Sequence, residues 1–182
     1  MNAIEIMNEE HRYILRMLKV VRKVNLNIMQ GKEIDYSDFD LIIEFISTYA
    51  DEHHHKKEEK ILFNKMVEKL GEVGEKIVKN GMLVEHDLGR LHVKELRYAL
   101  DKVKAGDEEA KLDVIANAIS YTHLLERHID KEDKVIYKFA ERELDEETLK
   151  VINEGCIEFE NSKIEVKKRA LYILEELEKK YS

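Results

Sequence analysis

Apolar residues recur at intervals of three and four along five long stretches of this chain, and no run alternates singly as a strand would. The first predicted helix covers residues 2–29 and stops at Gln30-Gly31-Lys32. A second starts near Ser37, where Ser37-Asp38-Phe39-Asp40 has the form of a capping box, and continues past Phe63 to Leu70. Gly71, Gly74 and Gly81 punctuate a short connector with room for a helical turn or two. The third helix runs from Met82 to Ala105 and ends at Gly106; Asp107 caps a fourth, reaching Glu143; Asp145 caps a fifth, reaching the last residues. Short connections between long amphipathic helices favour antiparallel neighbours. The expected fold is all-α: an up-down-up-down four-helix bundle over residues 1–143, with an additional C-terminal helix over 145–181, in a single domain.

Composition narrows the picture. The 182 residues include no Pro and no Trp, so nothing interrupts long helices by removing backbone donors. An apolar content of 43% supplies a core, and the longest apolar run, Ala170 to Leu174, is far too short to span a membrane. The net charge of −8 argues against nucleic acid, whose phosphates reward basic surfaces. The first ten residues carry no Lys, Arg or apolar core of a leader, so no signal peptide is expected. A lone cysteine, Cys156, forms no internal disulfide and reads as a small buried filler; a reducing cytoplasm is the expected compartment.

The chain also repeats itself. Residues 57–63 read Lys-Glu-Glu-Lys-Ile-Leu-Phe and residues 131–137 read Lys-Glu-Asp-Lys-Val-Ile-Tyr, matching in chemical type at every position. His54 and His128 stand three residues before them, and Glu10-His11 and Glu85-His86 form a second matched pair 75 residues apart. The sequence is thus two copies of a helix pair. In each, the first helix carries Glu-His and the second carries His-x-x-x-Glu.

Residues i and i+4 of an α-helix differ by about 40° around its axis, so His54 with Glu58, and His128 with Glu132, face the same side. Ile61 and Val135 continue those faces as expected core positions. A core-facing carboxylate needs a partner. With His11 and His86, four histidines and two carboxylates converge from four helices, a natural description of a binuclear metal site. Imidazole and carboxylate without thiolate suit iron, manganese or zinc, and six donors exceed what one closed zinc needs. One histidine in an acidic helical chain reads as a surface residue; two matched pairs in register with a repeat do not. His55 shares the four-residue spacing with Glu59, but the repeat aligns it with Ile129, so His53 and His55 read as flanking residues. His92 and His123 read as exposed. Glu132 is favoured over Asp133 on helical geometry. A ferritin-like site, which needs Glu-x-x-His on two helices, finds only Glu52–His55.

Glu10-His11-Arg12, the stretch His54 to Phe63, Glu85 to Arg90, and His128 to Asp133 together resemble the hemerythrin-like family, in its HHE cation-binding branch. The resemblance implies a four-helix bundle around a carboxylate-bridged, non-haem pair of iron ions, with His11, His54, Glu58, His86, His128 and Glu132 as ligands. Oxygen-carrying hemerythrins have His-x-x-x-His on the third helix, where this chain has Arg90, and His-x-x-x-x-Asp on the fourth. The set is closer to HHE proteins of iron sensing and iron–sulfur repair. The implied function is therefore binding or reaction with oxygen, peroxide or nitric oxide in sensing or stress defence. The alternatives are iron buffering or delivery without turnover, and a structural or interaction bundle with zinc or no metal. A small diatomic ligand or peroxide is the expected partner, with neither nucleic acid nor membrane. The apolar stripe Val166, Leu171, Leu174, Leu177 suits either cover for the bundle or a homodimer contact.

Overall fold

Helix α1 (Ala3–Met29) opens on Asn2, whose Oδ1 accepts from Glu5 N–H at 2.8 Å while the Glu5 carboxylate accepts from Asn2 N–H at 2.8 Å, a reciprocal cap. It closes at Gly31 (φ +85°), where Gly31 N–H donates to Ile28 O and Lys32 N–H to Asn27 O. Helix α4 (Leu83–Lys104) closes identically at Gly106 (φ +99°), with Gly106 N–H to Val103 O and Asp107 N–H to Lys102 O. A left-handed residue at this point is inexpensive only for glycine. The computed structural model, which describes residues 1–182, thus extends the repeat from the ligand motifs to the helix ends.

Between these two helices the chain runs as α2 (Tyr36–Phe45), two π-helical segments, Ile46–His55 and Glu58–Phe63, and α3 (Asn64–Ile77). The cap of α2 is Asp35 rather than Ser37: its carboxylate accepts from the backbone of Ser37 and Asp38, and the Ser37 hydroxyl itself donates to it at 2.6 Å. A charged acceptor outcompetes the hydroxyl for the free N–H groups. The glycine connector is more helical than expected. Gly71 (φ +56°) kinks α3, and a π turn, Val78–Met82, leads directly into α4. After the turn Glu108–Ala110, α5 (Lys111–Lys131), another π segment, Glu132–Ile136, and α6 (Tyr137–Glu143) form the last long segment of the repeat. Asp107 precedes that turn without a side-chain cap bond.

A π turn closes on the fifth residue and so spends one residue more than an α turn. The face therefore shifts by one. Leu62 and Ile136 enter the core at 0% and 6% exposure, whereas Ile61 is half-buried and Val135 lies 56% exposed, against the expectation from straight helices.

The expected fifth helix is broken at Lys163 into α7 (Glu146–Ser162), capped by Asp145 as anticipated, and α8 (Ile164–Lys180). Thr148, Ile152 and Cys156 are buried on α7 and Ala170, Ile173, Leu174 and Leu177 on α8, with no buried residue between positions 156 and 170. The break lets each half turn its own stripe onto the bundle. No helix is long and apolar enough to cross a membrane.

The apolar interior is divided. A larger cluster holds Ile14, Val21, Phe45, Tyr49, Leu96, Leu125 and Leu174, and a smaller one holds Met7, Phe63, Met82, Tyr137 and Cys156. Each of the four segments that make the repeat contributes to both, and its buried histidines and glutamates fall at or beside the change from one cluster to the other. A polar layer separates two hydrophobic ones.

Candidate metal centre

The layer is lined by His11, His54, His55, Glu58, His86, His128 and Glu132, every one at most 4% exposed. Their donor atoms fall into two groups: His11, His54, Glu58 and Glu132, and His55, Glu58, His86 and His128, with all atoms of a group within 4.8 Å of one another. Glu58 belongs to both. Its Oε2 lies 3.6 Å from Nε2 of His54 and 3.6 Å from Nε2 of His86, while its Oε1 accepts the Tyr137 hydroxyl at 2.5 Å. Glu132 spans the other side, with Oε2 3.2 Å from His11 Nε2 and Oε1 3.2 Å from His128 Nε2.

All six residues singled out in the sequence come together, and the structure adds His55. Residues 46–55 are π-helical, so three consecutive histidines are buried instead of one. The run of three was visible in the sequence, but its alignment with Ile129 argued for a flanking role. The π segment of the second copy begins only at Glu132, after Ile129, and the two helices differ at this point. His53 turns toward Glu10 and Glu160, at 3.0 and 2.8 Å, and stays outside both groups. His123 is exposed; His92 is half-buried, with Nδ1 3.3 Å from Asn117 Oδ1.

Carboxylates behind the imidazoles fix their orientation. Nδ1–H of His54 donates to Glu10 at 2.8 Å and Nδ1–H of His128 to Glu85 at 2.8 Å. In crossed fashion, Nδ1–H of His11 donates to Asp133 at 2.6 Å and Nδ1–H of His86 to Glu59 at 2.9 Å. An ionised carboxylate only accepts, so each of the four carries a proton on Nδ1 and turns Nε2 inward, where the neutral ring would offer its lone pair. His55 Nδ1 is 3.5 Å from Asp51, itself held by Arg90. Asp133 thus acts through His11, and Glu132 occupies the layer. Of these outer acids, Glu10 and Glu85 were legible as halves of the Glu-His repeat, and Glu59 and Asp133 as its paired acids.

The electrostatics describe a site short of cations. Burial, then the Glu132 charge, pushes the Glu58 carboxyl well above the usual range; Glu132 stays well below it, because His128 and His11 outweigh its burial. Burial lowers His11, but its bonds to Asp133 and Glu132 prevail and raise it to about 9. His128 is likewise raised to about 10, chiefly by Glu132 against burial. Burial and the neighbouring His11 bring His54 down to about 4. His54 Nε2, both nitrogens of His55 and Glu58 Oε2 are buried without a hydrogen-bond partner, and the Glu132 oxygens face only the His11 and His128 imidazoles, at 3.2 Å. Unpaired buried polar atoms each cost on the order of 1–3 kcal/mol, and carboxylates more. Metal cations held by these donors would relieve that cost. The residues fit the group.

A third cluster, Glu10, His53 and Glu160, has similar spacing, but the buried Lys57 ammonium already sits 2.5 Å from both carboxylates and supplies its cation. Cys156 is fully buried and its thiol is pushed up to about 12, mainly by burial, as befits an inert filler.

No curated protein and no solved structure matches the chain. The sequence model of the hemerythrin HHE cation-binding domain matches residues 2–140, which hold the whole polar layer and stop short of α7 and α8. The chain belongs to the hemerythrin HHE cation-binding family.

Proposed function

We propose that this protein holds a pair of non-haem iron ions bridged by Glu58 and Glu132, and that it binds or reacts with oxygen, peroxide or nitric oxide in sensing or stress defence. One observation carries the reading: a single buried oxygen of Glu58 stands midway between an imidazole of each group, 3.6 Å from either. A carboxylate in that position could bridge two cations, one held by each group. His11 and His54 would hold one ion, and His86, His128 and His55 the other, which brings a fifth imidazole into a layer where Arg90 has displaced the carrier-type histidine.

Iron in such a site supplies open coordination positions and a change of oxidation state. The chain supplies the rest. Tyr137 binds Oε1 of Glu58 and so commits Oε2 to the interior. The four carboxylate–imidazole bonds fix ring tautomers, and the two apolar clusters flank the layer on both sides. Donors of this kind also accept manganese and zinc.

The test is metal analysis of anaerobically purified protein, with absorption spectra before and after air. About two irons per chain are expected, following the two donor groups, with near-ultraviolet and visible bands that change on oxygenation. Glu58→Ala should lower the content below one. A stoichiometry of one that survives both Glu58→Ala and Glu132→Ala refutes the binuclear site, and a colourless, zinc-loaded protein refutes the iron chemistry.

A further inference from the structure

The polar layer borders a cavity through His55 and His86. This cavity, of about 250 Å³, lies between the segment Ile46–His55 and α4. His55 and His86, whose stacked rings have centroids 3.9 Å apart, line it, as do Gly89 and Tyr121. With no side chain on Gly89, an added Cβ would only just touch Tyr121 and Leu125, at 3.6 Å, so this wall is roomy. A water molecule in the liquid takes about 30 Å³, and the cavity exceeds that several-fold.

Its charge is one-sided. Three cations, Arg90, Lys94 and Arg97, line it against one carboxylate, Asp51. Asp51 is already taken by Arg90, whose remaining N–H groups go to Glu59 and Asp87. Lys94 makes no ion pair or hydrogen bond, and Arg97 donates only to the neutral Ser47 hydroxyl at 3.1 Å. Two exposed, uncompensated cations on an otherwise acidic protein thus line the same cavity as a buried imidazole, His55, with neither nitrogen hydrogen-bonded. A neutral diatomic needs no such charge; a small anion does.

We infer that this cavity is an anion subsite: it draws a small inorganic anion past Lys94 and Arg97 to the metal held by His55, His86 and His128. The inference rests on the binuclear reading and goes beyond it, since it names the class of ligand and the face it uses.

The probe is azide, titrated into the iron-loaded full-length protein and followed by absorption, with nitric oxide as an uncharged comparison. Lys94→Glu combined with Arg97→Glu should weaken azide binding at least about tenfold, because each reversal turns an attraction into a repulsion. Iron content and nitric oxide binding should hold. Lys150→Glu with Lys168→Glu makes the same change in net charge at exposed positions elsewhere and should leave azide binding unaltered. Unchanged azide affinity in the first double variant overturns the inference. Equal weakening of azide and nitric oxide also overturns it, since the substitutions would then act on the metal and not on charge. A wild-type chain that takes up no iron refutes the metal reading itself, and is told apart from the other failures by metal analysis alone.

Discussion

The two copies of the repeat build the same bonds and differ in what covers them. In one, Glu10 binds His54 and Lys57, and all three are at most 1% exposed, sealed beneath Glu160 and Phe159 of α7. In the other, Glu85 binds His128 and Lys131 in the same pattern, yet its side chain is 23% exposed and that of Lys131 is 42% exposed. The repeat fixes the chemistry of the centre. A helix outside the repeat decides which half meets solvent, so equal sequence motifs acquire unequal energetics.

The largest test of this difference compares the two lysines. Lys57→Met strips the ammonium from Glu10 and Glu160, leaving buried carboxylates uncompensated, and should cost about 3–5 kcal/mol in urea unfolding. Lys131→Met breaks a partly solvated pair and should cost about 1 kcal/mol or less. Equal losses would mean that α7 does not desolvate its half.

Next in size are the carboxylates that orient the imidazoles. Glu10→Gln and Glu85→Gln each remove a charged acceptor from a histidine Nδ1–H, and each should weaken metal binding about 10- to 100-fold in competition with a chelator. Only Glu10→Gln should also lower the stability of the metal-free protein, because Lys57 is buried and Lys131 is not. If Glu85→Gln left metal affinity untouched, the two halves would differ in ligation as well as in cover.

The same contrast explains how far the sequence could be read. The helical stretches, the glycine stops at Gly31 and Gly106, the Asp145 cap and six of the seven polar-layer residues followed from periodicity, end signals and self-similarity, the first and last of which report the i to i+4 geometry of straight helices. His55 did not, since a π segment moves a residue onto a face that α-geometry denies it, and nothing in the residue types around His53 and His55 signals the extra residue per turn. The break at Lys163 was hidden for a different reason: no Gly or Pro marks it, and it is set by where α7 and α8 find apolar surface. Arg90 looked like a simple loss of a ligand, and its partnership with Asp51 beside His55 exists only in three dimensions.

The smallest test addresses the phase shift and the cover together. Ile61 and Val135 are equivalent in the repeat, and straight-helix geometry made both core residues. The π turns push both off the core face, but α7 then arrives over only one of them: an added Cβ at Gly155 would meet Ile61 Cγ2 at 3.4 Å, while Val135 remains 56% exposed. Ile61→Ala should therefore cost about 1 kcal/mol, below the 2–5 typical of a fully buried isoleucine. Val135→Ala should stay within about 0.5 kcal/mol, as surface changes do. Denaturant midpoints of the two variants against wild type read this directly. A loss of several kcal/mol at Val135 would restore the straight-helix register, and a neutral Ile61→Ala would lift α7 off the first half and with it the asymmetry between the two.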